Sequence, residues 1–151
     1  MHSIVLKRTS SDNADFRLLV KGLDEELTTI YGAKQAFYNP LNALLQIQHV
    51  IVAYADDNPI GCGAIKKHNE DAMEIKRMYV KPTYRNKGVA RSILNALELW
   101  TKELKYKSCV LETGDKQPDA IHLYKKAGFD FIPNYGPYAD DEESVCMMKK
   151  F

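Results

Sequence analysis

At 151 residues the chain has the length of one domain, 1–151, large enough to bury roughly two-thirds of its unfolded surface. Lys and Arg number 21 against 20 Asp and Glu, a net charge of +1 that argues against a dedicated nucleic-acid binder. The three cysteines are scattered and share no metal-ligand spacing with the four histidines, and the N-terminus has no long apolar run. The expectation is reduced thiols, no metal, no membrane span and a cytoplasmic setting.

Ser3 to Thr9 reads as a first strand, and Ser10 to Asn13 supply N-cap candidates. Phe16, Leu19, Val20, Leu23, Leu27 and Ile30 recur along one face of a long helix that Gly32 closes. Between Ala33 and Gln48 the Asn39-Pro40 pair is a break, with a short helix on each side. His49 to Asp56 is an apolar strand, Asp57-Asn58-Pro59 is turn chemistry, and Ile60 to Lys67 returns. His68 to Asp71 turns the chain again into a strand from Met73 to Val80. These three strands predict an antiparallel meander. Gly61 and Gly63 inside it point to a bulge or to close helix packing.

A helix over 87–105 carries Val89, Ile93, Leu97, Trp100 and Leu104 at helical spacing. Ser108 to Thr113 is a compact buried strand. Strand–helix–strand implies a parallel pair with a right-handed crossover. Pro118 suits the first turn of the next helix, which ends at Gly128. Phe129 to Ile132 and Val145 to Lys149 form a last strand pair. The loop between them holds Tyr135 and Tyr138 at a Gly-Pro turn and the acidic run Asp140 to Glu143, which either attracts a cationic acceptor or is a solvated loop. The sum is an α/β (α+β) chain: a mixed, largely antiparallel central sheet with helices on both faces.

The stretch from Glu74 to Leu97 organises the rest. Between the strand that ends at Val80 and the helix lies Arg85-Asn86-Lys87-Gly88-Val89-Ala90, followed by Arg91. A small-residue turn at a helix start leaves backbone N–H groups free and aims the positive end of the helix dipole outward, which makes an anion cradle. Residues 75–97 carry Lys76, Arg77, Lys81, Arg85, Lys87 and Arg91 and no acid, although the whole chain is almost neutral. A solvated basic turn is the bland alternative.

Glu74 through Leu97 resembles the acetyl-CoA-binding motif of the GNAT superfamily of N-acetyltransferases, whose Gln/Arg-x-x-Gly-x-Gly/Ala pattern is matched by Arg85, Gly88 and Ala90. A second block, Ala120-Ile-His-Leu-Tyr124-Lys-Lys-Ala-Gly128-Phe129, resembles the later helix and Gly-Phe turn of that family, in the family's order. The resemblance implies the GNAT fold, acetyl-CoA as co-substrate and an amine acceptor; homodimerisation stays open. It implies that the pyrophosphate rests on Arg85, Asn86, Lys87, Gly88, Val89, Ala90 and Arg91. The pantetheine arm would bond the backbone of Met78, Tyr79 and Val80, and one of these N–H groups would polarise the thioester oxygen. Many members carry Asn where this chain has Gln117, a longer amide in the same cofactor-binding position.

Two catalytic candidates follow from the resemblance. Tyr124 matches the tyrosine that hydrogen-bonds or protonates the departing sulfur; the alternative is an amphipathic core tyrosine. Glu74 resembles the glutamate that serves as base in some branches, acting through water, since an amine is mostly protonated at neutral pH. Its alternative is a solvated strand-end carboxylate paired with Lys76 or Arg77. No histidine has triad context, and no cysteine pairs with one, so transfer is direct, in a ternary complex. A catalytically idle CoA-binding or interaction domain of the same fold is the alternative from another class.

Overall fold

Asn13 starts the first helix as a side-chain cap: its Oδ1 accepts the Phe16 amide at 2.9 Å, which satisfies one of the otherwise orphaned N–H groups of the first turn. The computed structural model describes residues 3–32 and 46–151. Helix α1 spans Ala14–Tyr31, and Gly32 closes it at φ 56°, its N–H returning to Thr28 O. The expected break at Asn39-Pro40 lies outside the described residues.

The strands are β1 (Ile4–Thr9), β2 (His49–Ala55), β3 (Asn58–Lys67), β4 (Ala72–Val80), β5 (Ser108–Gly114), β6 (Asp130–Ile132) and β7 (Ser144–Lys150). Helices α2 (Val89–Glu103) and α3 (Pro118–Lys126) lie to either side of β5 in the sequence. The sheet has seven strands in the order β1-β2-β3-β4-β5-β7-β6. β1 runs antiparallel to β2, and β7 antiparallel to both β5 and β6, while β4 and β5 are the expected parallel pair. No helix among the described residues is long and apolar enough to cross a membrane.

The β2–β3 turn sits one residue earlier than the turn chemistry suggests. Asp56 and Asp57 both take positive φ, 50° and 67°, the pattern that matches the right-handed twist of a two-residue hairpin. Asn58 and Pro59 are thereby freed to open β3. Helix α2 begins at Val89 rather than 87, because Asn86 and Gly88 also take positive φ, 62° and 82°.

The chain divides into two compact units, Met1–Ala64 with Arg77–Leu94, and Ile65–Lys76 with Asn95–Phe151. In the first, Phe16 and Leu19 of α1 pack with Val50, Val52, Cys62 and Ala64 from one face of β2 and β3. On the opposite face of β3, a Cβ at Gly61 would stand 3.1 Å from Ile93 Cδ1 and 3.0 Å from Tyr79 O. Close helix packing is therefore the reason for that glycine. The helices thus cover both faces. In the second unit Thr101 of α2 sits over β5, its Oγ1 donating to Leu97 O at 2.8 Å and accepting from the Cys109 thiol at 3.4 Å. The thiols of Cys62, Cys109 and Cys146 are free and buried.

Candidate functional site

β4 carries the first half of the candidate site, and its geometry changes midway. The parallel ladder with β5 runs from Ala72↔Ser108 to Ile75↔Leu111 and ends there. Two residues later Arg77 takes φ 61°, a bulge-like kink for a non-glycine residue inside a strand. Its guanidinium pairs with Asp24 of α1 at 2.9 Å, and its carbonyl accepts the Cys62 thiol at 3.3 Å. Arg77 is therefore engaged with α1 and is not the partner of Glu74. Beyond it, Met78 and Tyr79 are half-buried and Val80 is buried. The Tyr79 ring lies under α1, where a Cβ on Gly22 would come within 2.9 Å of its hydroxyl. Burial, then the charge of Glu26, raises the phenol above its ordinary range.

After Val80, Pro82–Tyr84 forms a short 3-10 turn that the sequence did not announce, and residues 85–88 lead into α2. Ser92 N returns to Gly88 O at 3.0 Å, so Gly88 is the residue that opens the helix. The amides of Val89, Ala90 and Arg91 cannot find partners within their own helix. A Cβ built at Gly88 meets nothing within 4 Å, so the space over the turn is open. Asn86, Lys87 and Gly88 are exposed, while Ala90 and Arg91 are half-buried. Lys87 reaches Thr83 O at 3.4 Å and lies over the Tyr84 ring, and Arg85 is tied down more firmly. Its Nε donates to Val80 O at 2.8 Å, its Nη2 pairs with Glu26 at 2.5 Å, and the guanidinium lies over the Tyr79 ring. Those bonds make Arg85 a clasp between the turn, β4 and α1.

The second unit holds a cluster of acids and tyrosines. Glu74 is only 8% exposed. One carboxylate oxygen accepts the Tyr135 hydroxyl at 2.7 Å, and the other lies 3.6 Å from Lys76 Nζ. The carboxylate is buried and not solvated, while its cation is Lys76, one of the two partners the strand-end alternative names. Tyr135 is flanked edge-on by His68, centroids 4.6 Å apart, and by Tyr138 at 5.9 Å. Burial, then the Glu74 charge, then the bond to Glu74, push its phenol far above the ordinary range. The loop Pro133 to Ser144 thus delivers a hydrogen-bond partner to Glu74 that the sequence left without a role.

Glu112 lies on the same face as Glu74, since Glu74 is level with Val110 and strand side chains alternate. Ser144 Oγ is 2.8 Å from Glu112 Oε2 and 3.0 Å from Asp141 Oδ2. Glu112 is half-buried, and that burial lifts it out of the carboxylate range to about 7. Asp141 is 8% exposed, so the acidic run is not simply a solvated loop: one of its members is folded inward. A glutamate directly after the apolar run Cys109-Val110-Leu111 was the sequence signal for this cluster.

Tyr124, on the last turns of α3, is 6% exposed and meets Phe129 edge-on at 5.8 Å. Burial, with the charge of Glu112 second, raises its phenol, so it keeps its proton at every ordinary pH. Gln117 precedes α3 as its cap residue. Its carbonyl accepts from Ile121 N at 3.2 Å, and its side chain makes no capping bond. His49 is half-buried, and His68 and His122 are exposed. Among the described residues no group of His, Cys, Asp and Glu could hold a metal ion.

The family model for the acetyltransferase (GNAT) family matches residues 18–129. The chain is 32% identical to an IAA acetyltransferase of Azospirillum brasilense, over 99% of each protein. Its fold is similar to that of the PaiA N-acetyltransferase of Thermoplasma acidophilum solved in complex with coenzyme A, with a TM-score of 0.74, 21% identity and 99% of each chain covered. A GNAT family acetyltransferase from Elizabethkingia anophelis with acetyl-CoA bound gives a TM-score of 0.69 at 18% identity, covering 98% of each chain.

Proposed function

This chain belongs to the acetyltransferase (GNAT) family, and on that premise we propose that it is a single-domain, cytoplasmic, acetyl-CoA-dependent N-acetyltransferase acting on a primary amine by direct transfer in a ternary complex. The observation that carries this reading is the turn at the start of α2. Two positive-φ residues, Asn86 and Gly88, lead into the first turn of α2, with open space at Gly88 and cations nearby. Such a turn accepts a pyrophosphate. The amides of residues 86–91 serve as its ligands, with Lys87 and Arg91 supplying charge. Arg85 contributes by holding the turn in shape. The backbone of Met78, Tyr79 and Val80 bonds the pantetheine arm, one N–H polarising the thioester oxygen, and the Gln117 amide takes a further polar contact.

Glu74 takes the proton that the ammonium acceptor must lose, through water, because its own oxygens are already held by Tyr135 and Lys76. Tyr124 donates a hydrogen bond, or its proton, to the sulfur as the carbon–sulfur bond breaks. A buried phenol that keeps its proton suits that donor role. The acceptor by which the Azospirillum relative is named belongs to that protein; the buried acids of this cluster favour an amine here.

Steady-state kinetics on Tyr124→Phe test the reading, with an acceptor found by thiol release across a panel of amines. The variant keeps the ring and its packing on Phe129, so acetyl-CoA affinity measured by calorimetry should hold. Turnover should fall roughly ten- to a thousand-fold, as expected for losing one group that acts only in the transition state. Equal turnover in the two proteins ends the leaving-group role.

A further inference from the structure

Glu112, Ser144 and Asp141 present a hydrogen-counting problem. Ser144 Oγ stands at hydrogen-bond distance from a carboxyl oxygen on each side, 2.8 Å to Glu112 and 3.0 Å to Asp141. A serine hydroxyl has one hydrogen to give. With both acids ionised, that one hydrogen would be shared between two anions, a weaker arrangement than two separate bonds. A carboxyl that supplies a hydrogen of its own satisfies both contacts. Asp141 is the poorer holder, because its Oδ1 already accepts the Glu143 amide at 3.1 Å, a bond that favours the charged form. Ser144 then donates to Asp141, and Glu112 donates to Ser144.

We propose that Glu112 is held as a neutral carboxyl by Ser144 and Asp141, and that it is a positioning residue acting through Tyr124, keeping negative charge away from the place where the departing sulfur gains it. The proposal rests on the leaving-group role of Tyr124 given above. Of the groups that face Glu112, the acids Asp141 and Glu74 favour its neutral form, while Lys76 and the Ser144 hydroxyl favour the charged one. From β4 come Glu74 and Lys76, but Lys76 lies 3.6 Å from Glu74 and its charge is shared with that acid. From β7 come Ser144 and Cys146, whose thiol burial pushes up to about 11 and so stays neutral. The segment before β7 brings Asp141, and α3 brings Tyr124. With Glu112 ionised, Lys76 would face Glu112 as well as Glu74. Burial raising Glu112 to about 7 is in keeping with the count.

The chemistry balances without moving this proton. The amine nitrogen forms its bond to the thioester carbon and loses a proton towards Glu74. The carbon–sulfur pair leaves with sulfur, which Tyr124 stabilises by its O–H. Glu112 keeps its hydrogen throughout. Ionised, it would oppose growing charge beside Tyr124, as it opposes formation of the phenolate.

Two measurements on the full chain decide this. The infrared carboxyl stretch of the free protein, as a wild type minus Glu112→Gln difference, should show one protonated carboxyl at about pH 6 that titrates away near neutrality. Turnover of wild type should carry an alkaline limb that Glu112→Gln lacks, since glutamine stays neutral and still offers Ser144 an N–H. Near pH 8 the variant should exceed wild type roughly ten-fold relative to their ratio at pH 6. In a Tyr124→Phe background the same substitution should leave the pH profile unchanged. No protonated carboxyl at pH 6 overturns the proposal. So does a Glu112→Gln profile identical to wild type in a protein whose turnover still depends on Tyr124. Should Tyr124→Phe turn over at the wild-type rate, the leaving-group reading itself has failed, and the infrared band then tells whether the neutral Glu112 survives without it.

Discussion

Tyr135 and Glu74 are 61 residues apart in the chain and 2.7 Å apart in the fold, phenol to carboxylate. The bond fixes one oxygen of a buried acid and leaves the other to Lys76. Tyr135→Phe should therefore destabilise the protein by about 1–3 kcal/mol, the usual cost of stranding a buried polar group, read by urea denaturation. In a Glu74→Leu background, where no acceptor remains for the phenol, the same change should cost less, and the difference is the coupling between the pair. Additive losses would mean that the hydrogen bond contributes nothing.

Glu74→Gln has its own signature in rate. If the carboxylate accepts the acceptor's proton, its removal matters most at neutral pH, where the amine is mostly ammonium. It matters less at high pH, where neutral amine is already abundant. Turnover should drop about ten- to a hundred-fold near pH 7, with the deficit narrowing above about pH 9. A loss that is uniform across pH reassigns Glu74 to positioning.

The turn at Gly88 makes a prediction about binding alone. Acetyl-CoA should raise the melting temperature of the wild type, because a ligand that binds only the folded state stabilises it. Gly88→Asp sets a negative side chain into open space, with backbone strain at φ 82° but no neighbouring atom in the way, and fills the phosphate site. The ligand-induced shift should vanish while the unliganded protein remains folded by circular dichroism. An unchanged shift in a folded variant would contradict the pyrophosphate role of this turn.

Arg85 separates architecture from recognition. Its guanidinium is spent on Val80 O, Glu26 and the Tyr79 ring. Glu26→Gln should then loosen acetyl-CoA binding only through the turn's geometry, by about two- to five-fold, and Arg85→Ala should lower both stability and affinity. If Arg85→Ala changes affinity with no change in melting temperature, the arginine touches the ligand directly and the clasp is incidental.

The thiols bear on the assay. Burial pushes Cys62 to about 12 and both Cys109 and Cys146 to about 11. Raised values mean protonated, inert thiols near pH 8, so an aromatic disulfide reagent should react with less than about one equivalent per native chain within minutes. In denaturant it should titrate all three. Rapid reaction of the native protein would show that one of these residues opens to solvent.

Local patterns carried most of the fold. The N-cap at Asn13, the α1 face from Phe16 to Ile30, the stop at Val80 before Pro82 and the parallel β4–β5 pair all follow from periodicity, capping and proline chemistry, which act over a few residues. The basic turn was equally legible, because its chemistry is the chemistry of consecutive backbone amides. The structure added where Arg85 spends its charge. The acid cluster was not legible, for a different reason. Glu74 comes from β4, Glu112 from β5, Tyr124 from α3, and Tyr135, Asp141 and Ser144 from the last loop and the start of β7. Sequence names the two candidates that fall inside motifs, Glu74 and Tyr124. Only the register of β5 on β4 and on β7 sets Glu112 on the face of Glu74 and beside Ser144, and only burial there decides how many protons the cluster can hold.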